Sequence, residues 1–323
     1  MVYKPIIIVA GEPNSIFSEI FFKSFKYRKF KSPIVLIASH KLIQLQMKQL
    51  NINKKIRLIN LSELKKKRLN NQNINLIDVN FSQTKPFEKI SSKSNKYIHQ
   101  SFDIALEIMN KKISDKMING PVSKKFFLKK KYLGVTEYLA HRTNTKNFAM
   151  LIYNKDLSVC PLTTHLPIKL VSKKINKNMI KEKIKLIDNF FKEYLKQKPH
   201  IAITGLNPHC ESTDTFDEDE KIIKPAVKSL TRLNKRIFGP FAGDTIFLKK
   251  NREKYNVVVG MYHDQVLSPI KTLFEYDAIN ITLGLPFIRV SPDHGPNVQM
   301  LGKNKSNPKS LIESILFFKK YEI

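Results

Sequence analysis

Three histidines stand where short apolar runs give way to polar residues: His165 closes LSVCPLTTH, His209 closes HIAITGLNPH and His263 sits in YNVVVGMYHDQ. Neutral imidazole is a common ligand for divalent metals, and three with coordination positions to spare suit a catalytic ion rather than a closed structural one. Taken singly, a histidine at such a place is more often a hydrogen-bonding loop residue, so the coincidence of three is what points to metal. Asp264 beside His263 and Asp244 in GPFAGDT are acidic exceptions in a basic chain. Either carboxylate could ligate a metal or move a proton, and either could simply cap a turn. Lys271, Asn280 and Arg289 follow. Arg offers carboxylate or phosphate a bidentate fork and Lys a compact charge, so these residues suit an anionic ligand, the bland alternative being two more surface cations.

Such residues need a scaffold that gathers strand ends. Short apolar runs alternate with lysine-rich segments of helical period, as in PIIIVA, SEIFFKSFKYRKF, SPIVLIAS and KLIQLQMKQL. That alternation predicts βαβ units, an α/β fold and a largely parallel sheet. Further strands are expected at 115–120, 148–154, 157–165, 200–209, 255–264 and 278–286, with amphipathic helices at 174–196 and 218–236. In a parallel sheet the C-terminal strand ends share one edge, where ligand sites gather, and the imidazoles would converge there. The polar stretch from Lys54 to Lys89 reads as a loop-rich surface region, and Arg289 is expected in a loop whose backbone Gly284 and Pro286 fix.

The 323 residues, 42% of them hydrophobic, suffice for two domains of ordinary size or one large α/β unit. A net charge of +30 raises nucleic-acid binding. The lysines, however, are spread along the whole chain, and no RRM, KH, zinc-finger or helix-turn-helix signature accompanies them. No apolar run approaches the roughly 20 residues of a membrane span, and the N-terminus lacks a secretory pattern, so a cytoplasmic protein is expected. Cys160 and Cys210 lack CxxC spacing and read as reduced thiols.

The motifs INGPVSKK, GVTEYLAHR, TTHLP, GLNPH, GPFAGDT, YHDQ and NITLGLPFIRVSPDHG occur in that order. Together they resemble the 4-hydroxythreonine-4-phosphate dehydrogenases of pyridoxal 5′-phosphate biosynthesis, over nearly the full length. The resemblance implies two α/β/α domains with a cleft between them, isocitrate-dehydrogenase-like and not a Rossmann fold; no GxGxxG follows the first strand. The domains would be 1–125 with 270–323, and 126–269 carrying the metal-site histidines and dimer contacts. It further implies NAD or NADP and one divalent ion (Zn, Mg or Co) on His165, His209 and His263, the third from the partner subunit of a homodimer. The phosphorylated hydroxy-amino-acid substrate would meet Thr136, Lys271, Asn280 and Arg289, and Asp293, His294 and Gly295 would line the nicotinamide-nucleotide site. Oxidation of the substrate hydroxyl would be followed by decarboxylation to 3-amino-2-oxopropyl phosphate.

The chain departs from the family pattern at three places. Val135 stands where the family has a phosphate-contacting His; GEPNSIFSE replaces a glycine-rich turn with an Asp at position 12; CESTDTFDEDE replaces a glycine-rich segment after GLNPH. Three rival readings follow. A same-fold dehydrogenase of threonate or erythronate phosphate would be separated by a substrate panel, a metal-dependent hydrolase by its failure to make NADH, and a basic binding protein by salt-dependent duplex binding without turnover.

Overall fold

A computed structural model describes residues 4–27, 30–64, 69–129, 131–292 and 294–321. Along the chain run β1 (Ile6–Val9), α1 (Phe17–Tyr27), β2 (Ile34–Ala38), α2 (His40–Gln49), β3 (Ile56–Leu58), β4 (Ile74–Asp78), α3 (Asn95–Asn110), β5 (Lys116–Asn119) and α4 (Val135–Arg142). There follow β6 (Ala149–Tyr153), β7 (Ser158–Pro161), α5 (Val171–Lys174), α6 (Lys177–Glu193), β8 (Ile201–Thr204), α7 (Lys224–Leu233) and β9 (Ile237–Phe241). The chain closes with α8 (Lys249–Arg252), β10 (Val257–Gly260), α9 (His263–Phe274), β11 (Ile279–Leu283), β12 (Ile288–Pro292) and α10 (Lys309–Phe317). By packing it divides into two compact units, Met1–Leu139 with Pro286–Ile323, and Ala140–Leu285. The class is α/β.

In the first unit the strand order is β3-β4-β2-β1-β5-β12. All these pairs are parallel. β1, IIIV, and β2, IVLIA, are buried along their whole length, the reading expected of central parallel strands covered on both faces. In the second unit the order is β11-β6-β7-β10-β8-β9. There β7, β10, β8 and β9 are parallel, while β6 runs antiparallel to both of its neighbours. The link from β6 to β7 is too short for a crossover and can only reverse the chain; the Asn154 side chain accepts from the Asp156 N–H at 2.9 Å and closes that turn.

Helix α6 starts where the Asn176 side chain accepts from the Met179 N–H at 2.9 Å, and it buries Ile180, Ile184, Ile187, Phe190 and Phe191, one stripe at helical spacing. Helix α9 buries Val266, Leu267 and Ile270 in a core with Met150, Ile152, Val159, Ala202 and Val258. Each such side chain contributes about 1.5–3 kcal/mol relative to exposure, which anchors the helix that begins at His263.

The structure corrects several expectations. The stretch 54–89 is not merely loop: it contributes β3 and the buried β4. Asn75 disguises β4 in the sequence, and the strand tolerates it because its amide donates to the carbonyls of Ile34 and Asn70 at 3.0 and 2.8 Å. Arg289 lies inside β12, paired opposite Met117, not in a loop. The expected strand 255–264 ends at Gly260, so His263 opens a helix rather than closing a strand. The expected helix 218–236 begins with a π turn over Asp219–Ile223 before α7.

Candidate active site

In the second unit, β7 and β10 are paired neighbours, and their continuations carry two of the histidines. The rings of His165 and His263 stand 5.7 Å apart between centroids, tilted by 37°. His263 is half-buried at the first position of α9, and its Nδ1 lies 2.6 Å from Oδ1 of the exposed Asp264. A carboxylate only accepts, so Nδ1 donates, and in the neutral ring Nε2 is the nitrogen left to accept. Gly260 permits the sharp exit from β10, since a Cβ there would meet Val266 Cγ1 at 2.3 Å.

His209 is exposed in a short turn after β8, with a left-handed backbone at φ 57°. The turn is held from behind: the buried Asp219 carboxylate accepts from the N–H groups of Leu206 and Asn207, both at 2.9 Å, and from the Asn207 side chain at 3.1 Å. Asp217 in turn accepts from the N–H groups of Ser212, Asp219 and Glu220. The acidic segment CESTDTFDEDE thus holds its own loop with side-chain carboxylates. Among the described residues of the chain, no three His, Cys, Asp or Glu side chains are grouped to hold a metal ion. Asp244 is exposed; its charge acts on Cys210, whose thiol is pushed up by burial first and then by Asp219 and Asp244. Burial pushes the Cys160 thiol up to about 12, so both cysteines remain protonated at neutral pH.

Lys271 occupies the last turn of α9. Asn280 sits on β11 opposite Ile152, and its Oδ1 is buried with no hydrogen-bond partner among the described residues.

In the first unit, Arg289 is 3% exposed. Its Nε donates to Asn119 Oδ1 at 2.6 Å and its Nη1 to Thr136 Oγ1 at 3.4 Å. Burial lowers the guanidinium from 12.5 to about 10, the nearby Glu137 acting in the opposite sense, and it stays cationic at neutral pH. Thr136 and the half-buried Val135 form the first turn of α4, whose N–H groups favour anions. His294 Nδ1 contacts the Gly295 carbonyl at 2.9 Å just beyond β12; Asp293 lies outside the described residues.

The segment GEPNSIFSE after β1 is fixed by its own side chains. Ser15 Oγ donates to the Glu12 carbonyl at 2.7 Å and accepts from the Phe17 N–H at 3.2 Å. The Glu12 carboxyl is buried and accepts from the Asn14 N–H at 3.2 Å and from Ser94 Oγ at 3.0 Å. Burial pushes its pKa up, these two hydrogen bonds opposing.

Reasoning from sequence missed Asn119, the partner of Arg289, although it too is a polar residue ending a buried apolar strand, the same signal that drew attention to His263.

The family model for the pyridoxal phosphate biosynthetic protein PdxA matches residues 29–317. The chain belongs to that family. A 4-hydroxythreonine-4-phosphate dehydrogenase from Sulfurihydrogenibium is 37% identical to it over 317 residues, 96% of each chain. A D-threonate 4-phosphate dehydrogenase from Salmonella typhimurium is 30% identical over 319 residues, 97% of each chain. The solved structure of a 4-hydroxythreonine-4-phosphate dehydrogenase from Klebsiella pneumoniae superimposes with a TM-score of 0.84 at 28% identity, covering 99% of both chains. A solved isocitrate dehydrogenase shares the fold at far lower identity, in keeping with the architecture expected of a PdxA member.

Proposed function

We propose that this PdxA-family dehydrogenase oxidises 4-phosphohydroxy-L-threonine with NAD or NADP and a divalent ion, followed by decarboxylation to 3-amino-2-oxopropyl phosphate. The observation that carries the reading is the imidazole pair of His165 and His263, with Asp264 bonded to the far nitrogen of one ring. This donor set fits a divalent ion: a carboxylate behind a ligating His fixes its tautomer and raises its basicity. With His209 as the third ligand, a bound divalent ion would supply Lewis acidity to the substrate hydroxyl and to the carbonyl that replaces it, and the nicotinamide cofactor supplies the hydride acceptor.

The protein's own side chains do the remaining work. Asp264 orients His263 from the side of the ring away from the ion, which leaves the exposed Asp244 as the carboxylate assigned to take the hydroxyl proton. Arg289 is pre-set by Asn119, so its fork loses little freedom when Thr136, Lys271, Asn280 and Arg289 take the anionic ends of the substrate. His294 and Gly295 are assigned to the nicotinamide-nucleotide site. The resemblance adds a homodimer sharing its sites, with His263 as the imidazole that comes from the partner subunit; because His165 and His263 are adjacent in one chain, we assign the crossing imidazole to His209 instead.

Val135 favours a second reading. It cannot donate a hydrogen bond where the family pattern has a His, and one full-length relative carries the name D-threonate 4-phosphate dehydrogenase. Steady-state NADH formation with 4-phosphohydroxythreonine, D-threonate 4-phosphate and erythronate 4-phosphate distinguishes the two, the amino substrate being expected to give the highest kcat/KM.

A further inference from the structure

Gln265 lies in the first turn of α9 and spends every polar atom of its side chain on a backbone or side-chain partner of another segment. Its Oε1 accepts from the Met261 N–H at 2.6 Å and from the Thr204 hydroxyl at 3.0 Å, while its Nε2 donates to the Gly205 carbonyl at 2.8 Å. Met261 is the residue that links β10 to the His263 turn; Thr204 and Gly205 end β8 and lead to the His209 turn. The other end of Met261 is gripped by a different motif: its carbonyl accepts from the Thr163 hydroxyl at 2.8 Å and from the Thr163 N–H at 3.3 Å. Thr163 stands two residues before His165. Thr163, Met261 and Thr204 are almost wholly buried, so water does not compete for these bonds. Glycines make the room: a Cβ on Gly260 would stand 3.0 Å from Gln265 Oε1, and one on Gly243 would stand 3.2 Å from Nε2.

We propose that Gln265, together with Thr163, is the positioning element of the metal site, a hydrogen-bonded bracket that sets the segments bearing His165 and His263 at this chain's site in register with the segment that carries His209 to the partner subunit's site. The inference rests on the reading that these imidazoles hold a divalent ion. The chemistry asks for an amide at 265: two donors converge on one side of the group and a carbonyl waits on the other. Glu would turn a second acceptor towards the Gly205 carbonyl, and an apolar residue of the same length would leave the Met261 N–H buried without a partner. The bracket touches no reacting atom; it acts through the backbone that carries the ligands.

The test is calorimetric titration of the metal-free protein with Zn2+ alone and the visible absorption of the Co2+-loaded protein. It compares wild type with Gln265→Met, Thr163→Val, Thr163→Ser and His263→Ala, with thermal unfolding of each metal-free protein alongside. Gln265→Met and Thr163→Val are expected to weaken Zn2+ by about ten- to a hundredfold, the range found for residues that orient ligands. Both should change the Co2+ spectrum, whereas Thr163→Ser, which keeps the hydroxyl, stays near wild type. If Gln265→Met does not fold, the Thr163 pair decides, because Val and Ser differ there in the hydroxyl. Wild-type affinity and spectrum in Gln265→Met or Thr163→Val, with binding lost in His263→Ala, overturns the bracket and leaves the metal reading standing; equal loss in Thr163→Val and Thr163→Ser also overturns it. Undiminished Zn2+ binding in His263→Ala overturns the metal reading itself.

Discussion

Oδ1 of Asp264 lies 2.6 Å from Nδ1 of His263, and the two are adjacent in the chain at the start of α9. Neighbouring residues in a helix do not normally face each other, so the pairing depends on His263 standing at the helix's first position, where its ring can turn back. Asp264→Ala should weaken divalent-metal affinity by about ten- to a hundredfold, and Asp264→Asn, which keeps an acceptor oxygen, should lose less. Metal titration with an indicator dye checks both; equal affinity in all three proteins would reduce the contact to a surface pairing.

Arg289→Lys keeps a charge but not the fork, and leaves Asn119 Oδ1 without its 2.6 Å donor. A charge-assisted hydrogen bond is worth roughly 1.5–3 kcal/mol, or about ten- to a hundredfold in affinity. The expected result is a KM for the phosphorylated substrate raised by at least about tenfold, with kcat changed less. Steady-state kinetics would contradict the assignment by showing KM unmoved.

The candidate histidines were legible because short apolar strands give way within a few residues to polar ones. VVVG before MYHDQ and SVCP before LTTH mark the strands that His263 and His165 follow, but both strands end earlier than expected, at Gly260 and Pro161, and only the pairing of β7 with β10 shows that the two are neighbours. Arg289 was misplaced because IRVSP carries a cation in the middle of a buried strand, which the sequence cannot excuse until Asn119 and Thr136 are seen to satisfy it. Strand β4 was hidden for the same reason, Asn75 looking like a loop residue until its amide meets two carbonyls. In the sequence Gln265 is only the last residue of YHDQ, just past an expected strand and with no role assigned to it; only the paired neighbour β8 reveals what it grips.

Val135 opens α4 beside Thr136. On the reading that the substrate is 4-phosphohydroxythreonine, Val135→His restores one donor and should lower KM by about tenfold with little change in kcat, the mark of added uniform binding. A variant that binds this substrate no better, while the wild type prefers D-threonate 4-phosphate, would transfer the assignment to the threonate class.

Glu12 supplies a pH dependence. Its folded pKa is raised above the ordinary 4.5 by burial, so above 4.5 the folded state holds the proton more tightly than the unfolded state. Stability therefore falls as pH rises from about 4.5 through the raised value, and is flat on either side as far as this group is concerned. Glu12→Gln removes the titration; Tm measured across that range should decline less steeply in the variant than in wild type, and identical slopes would show that Glu12 titrates normally.

The most direct measurement of the central claim is NADH formation from 4-phosphohydroxythreonine and NAD by protein stripped with a chelator and then resupplied with Zn2+, Mg2+ or Co2+. The account predicts no NADH from the stripped protein, recovery on adding one of the ions, and no recovery in His263→Ala. NADH formation at full rate by the stripped protein, or by His263→Ala, would contradict it.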